Sequence, residues 1–259
     1  MSRGLAVVTG ASAGIGREFA EQLGARGYDL LLVARDGHRL AGAAAALTAA
    51  HGVAAEAFPA DLSRDEEVTR LAERLAASPR LAMLVNNAGF GSRGRLAQSD
   101  RERQTAMVRL HTLAPMRLTL AALPVLLANR SGGVINVSSV AGFLYSAGNA
   151  NYCATKAYLT TFSEGLAAEL HGTGVRAQAL CPGFTRTEFH ARIPGPVEQH
   201  PRFAWLSARD VVAHSLRCFD RGGPVVCIPG LRWRLAVGAV RLMPRRLIGW
   251  VTRRRYDRV

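Results

Sequence analysis

Three side chains in the middle of the chain are suited to moving a proton at a carbonyl oxygen: Ser139, Tyr152 and Lys156. Lys156 follows Tyr152 by one helical turn, so a helix would place both on one face. A lysine ammonium beside a tyrosine hydroxyl favours the phenolate and is expected to lower the pKa of Tyr152 from its usual value of about 10. Ser139 can donate a hydrogen bond to an oxygen on which negative charge develops. Hydride transfer to a carbonyl needs this chemistry, with Tyr152 as general acid or base.

Tyrosine and lysine also occur at this spacing on many helices that do no chemistry. Of the 33 basic residues in this chain, however, Lys156 alone is a lysine, and it falls four residues after Tyr152, which itself follows Ser139 by 13 residues. This coincidence favours the catalytic interpretation over a chance pair.

A second constellation is a glycine-rich turn after the first apolar run, with the sequence Thr9-Gly10-Ala11-Ser12-Ala13-Gly14-Ile15-Gly16. Glycines allow a tight turn and let the backbone approach a pyrophosphate closely. The helix that follows directs its amino-terminal N–H groups and positive dipole end toward the same anion. A tight turn without a ligand has the same composition, but placement between the first strand and helix favours dinucleotide binding.

Short apolar runs alternate with longer amphipathic stretches, and these elements must position both constellations. The predicted strands are Leu5–Thr9, Asp29–Ala34, Val53–Phe58, Ala82–Asn86, Val134–Ser138, Val175–Leu180 and Val225–Ile228. The predicted helices are Ile15–Arg26, Gly37–Ala50, Arg64–Ala77, Arg101–Ala128, Ala154–His171 and Ala208–Arg221. Strands that are apolar throughout are buried on both faces, and strand–helix alternation indicates a parallel sheet covered by helices. The predicted fold is therefore α/β and doubly wound, with ligands at the carboxyl ends of the strands.

The spacing of the glycines, together with later motifs in the same order, resembles the short-chain dehydrogenase/reductase family over residues 5–230. The later motifs are Asp61, Asn86-Asn87-Ala88-Gly89, Ser139, Tyr152-x-x-x-Lys156 and Pro182-Gly183. The resemblance implies a Rossmann-type sheet of about seven strands and catalysis by Ser139, Tyr152 and Lys156. It also implies that Asp61 and Leu62 hold the adenine, and that Lys156 hydrogen-bonds the nicotinamide ribose. The cofactor-binding residues it implies are Gly10, Ser12, Ala13, Gly14, Ile15, Gly16, Asp61, Leu62, Asn86, Ala88, Gly89, Tyr152, Lys156, Pro182, Gly183 and Thr187.

The end of the second predicted strand indicates which nicotinamide cofactor is bound. An NAD enzyme places an acidic residue there against the ribose 2′-hydroxyl, whereas this chain has Ala34 followed by Arg35. A guanidinium suits a 2′-phosphate, and Arg17 and Arg39 could add positive potential. We therefore predict NADP(H), although a surface arginine is also expected in a chain so rich in arginine.

His111 departs from the pattern of the family, which usually has asparagine at this position to support a water chain from the lysine to solvent. A histidine can bond a water or a backbone carbonyl, so one hypothesis is that His111 replaces the asparagine in proton relay and counts among the catalytic residues. The alternative is that His111 only packs its helix.

The resemblance places a substrate lid at 188–207, whose apolar and aromatic residues suggest a hydrophobic carbonyl or alcohol substrate, such as a lipid, steroid or aromatic ketone. Packing of the lid alone would require the same residues. We expect one catalytic domain at 1–230 and a basic amphipathic extension at 231–259, which holds nine arginines and one aspartate. Within the extension we expect a helix with Arg234, Arg241 and Arg245 on one face. It could lie on an anionic membrane, complete the fold or contact another subunit.

Composition narrows the remaining function classes. The four cysteines show no metal-binding spacing and no cluster with histidine, so we predict no metal site and reduced thiols in the cytoplasm. We expect no signal peptide and no spanning helix, and no nucleic-acid partner is expected despite the net charge of +14. Family habit implies a homodimer or homotetramer through the helices Arg101–Ala128 and Ala154–His171. The competing function is a non-catalytic dinucleotide-binding or regulatory protein that retains the fold.

Overall fold

The structure is a computed structural model that describes residues 2–191, 193, 202–244, 246–249 and 252. A parallel sheet of seven strands in the order β3-β2-β1-β4-β5-β6-β9 forms its centre, which confirms the predicted Rossmann-type fold. These strands are β1 (Leu5–Thr9), β2 (Asp29–Ala34), β3 (Ala55–Pro59), β4 (Leu81–Asn86), β5 (Gly133–Val137), β6 (Arg176–Leu180) and β9 (Val226–Cys227). Two short strands, β7 (Thr185–Arg186) and β8 (Leu206–Ser207), pair in parallel outside this sheet.

The helices cover both faces of the sheet. They are α1 (Gly14–Gly24), α2 (Gly37–His51), α3 (Asp65–Ala76), α4 (Arg101–Val108), α5 (Ala114–Asn129), α6 (Ala150–Glu169), α7 (Glu188–Ala191), α8 (Ala208–Asp220) and α9 (Leu231–Leu242). Short 3₁₀ turns lie at Leu96–Gln98, Val140–Phe143 and Arg202–Ala204.

The sheet divides the core in two because alternate strand residues point to opposite faces. Ala6 and Val8 of β1 pack with the buried residues of α1, α2 and α8. Val7, between them, packs with those of α3, α5 and α6. The strands are therefore buried on both sides, as the apolar runs predicted, and the sheet is the rigid base of the site.

The predicted helix Arg101–Ala128 is interrupted by a π-helical segment at Arg109–Leu113, between α4 and α5. Pro115 has no N–H to donate to the carbonyl of His111 four residues earlier, which explains why regular α geometry fails here. The stretch Arg101–Asn129 is also long and apolar enough to cross a membrane by length and composition alone, contrary to the expected absence of such a helix. Its α5 portion packs against α3 and β4 in this fold.

The predicted helix of the extension is shorter than expected. It ends at Leu242, because Met243 is extended before Pro244, so the predicted arginine face does not continue beyond that point. Arg245 and Trp250, and Pro194, Pro196 and Pro201 of the predicted lid, lie outside the described residues.

Candidate active site

The main cleft lies at the carboxyl ends of the strands, next to the paired strands β1 and β4, where the strand order reverses. Its volume is about 1830 Å³, and doubly wound sheets bind their ligands at this switch point. The cleft contains both predicted constellations, with the glycine turn in one wall and Ser139, Tyr152 and Lys156 in the floor.

The glycine turn forms a backbone cradle. Gly10 and Gly14 have φ of +67° and +56°, which favour glycine. Ser12, Ala13, Gly14 and Ile15 line the cleft, and among the described residues no side chain caps the amino terminus of α1, so its N–H groups can meet an anion. This arrangement fits the pyrophosphate of a dinucleotide.

Gly16 was predicted to bind the cofactor, but it is not among the described residues that line the cleft. A Cβ at Gly16 would lie 2.3 Å from the carbonyl oxygen of Gly10 and 2.4 Å from Nδ2 of Asn87. The missing side chain therefore lets α1 pack against the turn and the end of β4. Asn87 also donates to the carbonyl of Thr9 at 2.8 Å, which fixes the turn against β4.

The adenosine end of the cleft is lined by Arg35, Arg39, Asp61, Leu62 and Arg64. Arg35 is exposed and makes no ion pair with any described residue. Arg39 makes a bidentate ion pair with Glu188, with nitrogen–oxygen distances of 2.6 and 3.2 Å. Arg17 does not line the cleft in the described part of the chain, so its expected contribution to the cofactor site has no structural support.

Asn86 was predicted to line the adenosine side, but it is 3% exposed and belongs to the interior. Its Nδ2 donates to Oδ1 of Asn136 at 2.9 Å, and Asn136 in turn donates to Ser163. This buried ladder links β4, β5 and α6 beneath the site. Asn87, Ala88 and Gly89 line the cleft instead.

Ser139, Tyr152 and Lys156 come together at the end of β5 and on the first turns of α6. A hydrogen bond joins the side chains of Ser139 and Tyr152. Lys156 Nζ lies 5.8 Å from the centre of the Tyr152 ring and donates to the carbonyl of Val137 at 2.8 Å. The 3₁₀ turn after Ser139 packs closely on α6, since a Cβ at Gly142 would lie 2.9 Å from the carbonyl of Lys156.

Burial governs the electrostatics of this group. It raises the pKa of Tyr152 to about 12, and the hydrogen bond from Ser139 opposes the rise without cancelling it. Burial lowers the pKa of Lys156 to about 8. The expected fall in the Tyr152 pKa is therefore wrong in sign for this structure, because Lys156 is directed at the Val137 carbonyl and desolvation of the phenolate dominates. At neutral pH the Tyr152 hydroxyl keeps its proton and Lys156 is mostly charged.

His111 is fully engaged by protein groups. Its Nε2 accepts from the Phe90 N–H at 3.1 Å, so the ring proton lies on Nδ1 and is donated to Thr155 Oγ1 at 3.1 Å. Thr155 in turn donates to the carbonyl of Tyr152 at 2.9 Å. Burial, with the charge of Lys156, lowers the pKa of His111 well below its usual value. His111 therefore holds the segment after β4 against α6. Because both ring nitrogens are occupied, neither can bond a relay water, and the structure gives no support to the relay hypothesis.

Aromatic side chains form the opposite end of the cleft. The Phe189 ring lies 6.2 Å from that of Tyr152, and Phe184 contacts both Trp205 and Trp233 at ring distances of 5.7 and 5.3 Å. Pairing of β7 with β8 brings the two ends of the predicted lid together. The other described apolar residues lining this end include Phe90, Leu144, Ile193, Val240, Met243 and Ile248.

The extension is therefore part of the cleft wall. The indole of Trp233 packs on Gly183, where a Cβ would lie 2.1 Å from its Cε2, and its Nε1 donates to the carbonyl of Ala204 at 3.2 Å. Pro182 and Thr187, both predicted to bind the cofactor, also line the cleft, and Thr187 faces Gly14 at the start of α1. We expected a catalytic domain that ends at residue 230, but Trp233, which lies beyond that boundary, packs on the residues of the cleft.

Sequence reasoning missed Phe90, Asn87, Arg64 and the tail residues of the wall. Phe90 follows the family motif directly, and Arg103 stacks on its ring at 4.7 Å. No spacing in the sequence indicates that Trp233 reaches back to Gly183, because that contact depends on how the chain returns after β9.

Comparison with known proteins gives a consistent result. The family model of short chain dehydrogenases matches residues 4–196. An uncharacterized oxidoreductase of Myxococcus xanthus is 33% identical, with 92% of this chain and 90% of that protein covered. A short-chain dehydrogenase from Sphingobium yanoikuyae in complex with NADPH is 38% identical, with a TM-score of 0.84 and coverage of 91% and 93%. The bulky-bulky ketone specific alcohol dehydrogenase from Comamonas testosteroni is 32% identical, with a TM-score of 0.80 and 92% of both chains covered.

Proposed function

The chain belongs to the short-chain dehydrogenase family of oxidoreductases, and from that premise we propose that it uses NADP(H) to interconvert a hydroxyl and a carbonyl on a hydrophobic substrate. The observation that carries this proposal is the hydrogen-bonded pair of Ser139 and Tyr152, with Lys156 beside it, in the floor of a cleft that also holds the glycine cradle.

The bound nicotinamide would supply or accept the hydride. In carbonyl reduction, the Tyr152 hydroxyl, which burial keeps protonated at neutral pH, donates its proton to the substrate oxygen. Ser139 holds the same oxygen by a hydrogen bond. Lys156 carries the positive charge that favours the phenolate left after proton transfer. His111 keeps α6 in register through Thr155.

Three observations support NADP(H) over NAD(H). Arg35 is exposed at the rim of the cleft without an ion-pair partner among the described residues, where a 2′-phosphate could bind it. The end of β2 offers no carboxylate at Ala34 for a ribose hydroxyl. The Sphingobium yanoikuyae relative was solved with NADPH.

A hydrophobic substrate is supported by the aromatic wall. Phe189 lies beside Tyr152, and Phe184, Trp205 and Trp233 pack together in the wall of the same cleft. An apolar ketone would bury more apolar surface there than a polar one. The Comamonas testosteroni relative is specific for bulky-bulky ketones. We therefore propose ketones with two large apolar substituents as the first substrates to test.

The test is titration with NADPH and NADH, followed by turnover on small, aromatic and steroid-like ketones and on the matching alcohols. Tyr152→Phe should retain NADPH binding and lose about 100- to 10,000-fold in kcat. Tyr158→Phe, on the same helix but 38% exposed, is the matched control and should keep wild-type turnover. Binding without turnover in the wild type would favour the non-catalytic alternative, and failure to bind either nucleotide would overturn the proposal.

We also propose a homodimer or homotetramer formed through α5 and α6. Leu113, Leu120 and Leu127 recur every seven residues and are 41%, 60% and 39% exposed, which gives one apolar stripe. Light scattering should report an oligomer for the wild type and a smaller species for Leu120→Glu. A monomeric wild type would refute this proposal.

Finally, we propose that the protein is cytoplasmic and touches anionic membranes through the outer face of α9. Leu231, Leu235 and Leu242 share that face and are 62%, 65% and 88% exposed, in a segment with net charge +8. Co-sedimentation with phosphatidylserine vesicles should fall in Leu235→Glu. It should persist in the control Leu96→Glu, which changes a leucine 60% exposed elsewhere. Equal sedimentation of both variants, or none of the wild type, would reject the membrane contact.

A further inference from the structure

A cluster of metal-binding side chains lies outside the active site, between α8 and β9. His214 and Cys218 are one turn apart on α8, and Cys227 ends β9. Their ligand atoms all lie within 4.8 Å of one another, and His214 Nε2 is 3.6 Å from Cys218 Sγ. The expectation that no cysteine clusters with histidine is therefore wrong. Cys227 is nine residues beyond Cys218 in the sequence and joins the cluster only through the fold.

The distances match a tetrahedral ion. With a zinc–sulfur distance of about 2.3 Å and a zinc–nitrogen distance of about 2.05 Å, tetrahedral ligands place nitrogen and sulfur about 3.6 Å apart and two sulfurs about 3.8 Å apart. The first separation equals the one observed between His214 and Cys218. The other pairs need at most about 1.2 Å of side-chain adjustment to reach tetrahedral spacing.

Regular structure holds the three residues in place. Gln178 of β6 donates to the carbonyl of Ser215 at 3.2 Å, which fixes the middle of α8 against the sheet. The Cys181 N–H, just after β6, donates to the carbonyl of Cys227 at 2.8 Å, which fixes the end of β9. The backbone at these positions is therefore set before any ion binds, as an effective site requires.

The donor set and its surroundings favour a thiophilic cation. Two thiolates and one imidazole prefer Zn²⁺ to Mg²⁺ or Ca²⁺, and two thiolates neutralise a dication. His214 and Cys218 are half-buried, so a water molecule can reach the fourth position. The charged groups that face the cluster are Arg217 and Arg234. Burial, followed by these two arginines, lowers the pKa of His214 and so favours the neutral imidazole that binds a metal. Burial raises the pKa of Cys227, which Arg234 opposes only in part, so a bound cation would have to stabilise its thiolate.

We propose that His214, Cys218 and Cys227 form a binding site for a thiophilic divalent cation, with Zn²⁺ as its occupant. The bound ion clamps β9, which pairs with β6 through only two residues, to α8. Since α9 begins at Leu231, shortly after β9, the clamp also steadies the start of the segment that carries Trp233 into the cleft wall.

The test uses the full chain without a histidine tag, loaded with Co²⁺ as a spectroscopic probe and with Zn²⁺ in competition. We expect one ion per chain, a thiolate-to-cobalt charge-transfer band and tetrahedral visible bands, all removed by Zn²⁺. Cys218→Ser and Cys227→Ser should each weaken Zn²⁺ binding by at least about 100-fold. Cys153→Ser removes a thiol outside the cluster and should bind as the wild type does.

Zn²⁺ should also raise the unfolding temperature of the wild type but not that of Cys218→Ser, because an ion that binds only the folded chain stabilises it. The proposal is overturned if the wild type gives no thiolate-to-cobalt band, or if Cys218→Ser binds Zn²⁺ as tightly as the wild type. It is also overturned if thiol titration finds Cys218 and Cys227 oxidised to a disulfide in protein purified without reductant. None of these outcomes depends on NADPH binding or turnover.

Discussion

The two ends of the cleft are built in different ways. The cofactor end consists of backbone: the turn after β1, the amino terminus of α1 and the ends of β2 and β4, all held by a sheet buried on both faces. The substrate end consists of aromatic side chains carried by short elements between Phe184 and Trp233. Main-chain geometry at the first end tolerates few substitutions, whereas the second end can change its shape by exchanging side chains. The comparison predicts that mutations at the two ends differ in both size and kind.

The largest effect is expected for Gly16→Ala at the cofactor end. The new methyl group would meet the Gly10 carbonyl and Asn87, neither of which can move without disturbing β1 or β4. We expect the free energy of unfolding to fall by about 3 kcal/mol, together with loss of NADPH binding. Urea denaturation and fluorescence titration measure the two effects. Gly42→Ala, at a helical position with open space around it, is the control and should not destabilise the protein.

A smaller effect of a different kind is expected for Arg35→Ala. Loss of charge-assisted hydrogen bonds to a 2′-phosphate costs about 1.5–3 kcal/mol, so NADPH should bind about 10- to 100-fold more weakly and NADH unchanged. Calorimetric titration measures both dissociation constants. Arg17→Ala is the control, because Arg17 does not line the described cleft. Equal weakening by both variants would show that general positive charge, rather than Arg35, selects the cofactor.

At the substrate end we expect Gly183→Ala to change selectivity rather than folding. Its methyl group would meet the Trp233 indole, a side chain that can shift, rather than backbone. KM for bulky ketones should rise about 10-fold, which corresponds to the loss of roughly one apolar contact, while the unfolding temperature changes little. If Gly183→Ala instead unfolds the protein as Gly16→Ala does, the contrast between the two ends is wrong.

The smallest effect concerns His111, which braces the floor between the two ends. It stays neutral when folded because its pKa is well below the usual value, whereas the unfolded chain takes up a proton below pH about 6.5. The unfolded state then binds more protons, so stability decreases as pH falls. Between pH 7.5 and 5.5, the wild type should lose about 1.4 kcal/mol more than His111→Asn. Urea denaturation across this range measures the difference, and parallel curves would contradict the prediction.

The sequence could predict the features that local patterns determine, but not those that depend on burial or on contacts between distant residues. β1 and β2 have the predicted bounds because buried parallel strands produce distinctive apolar runs. The grouping of Ser139, Tyr152 and Lys156 could be predicted because their types and spacing carry chemistry, and the structure brings the three together. The sign of the Tyr152 pKa shift was missed, since it depends on burial and on where Lys156 points. The contact of Trp233 with Gly183 and that of Cys227 with His214 join residues that are distant in the sequence. Such contacts depend on the tertiary fold, and no local sequence pattern predicts them.

The single lysine gives the protein an unusual chemical surface. Its basic character comes almost entirely from guanidinium groups, which amine-directed acylating reagents and cross-linkers do not modify. The one side-chain amine is buried in the floor of the cleft, and its pKa of about 8 leaves a reactive neutral fraction under mildly alkaline conditions. The extent of side-chain acylation, read by mass spectrometry, therefore reports a single event: access of reagent to Lys156. A ligand that fills the cleft should protect that residue, so a generic labelling reagent becomes a site-specific occupancy probe.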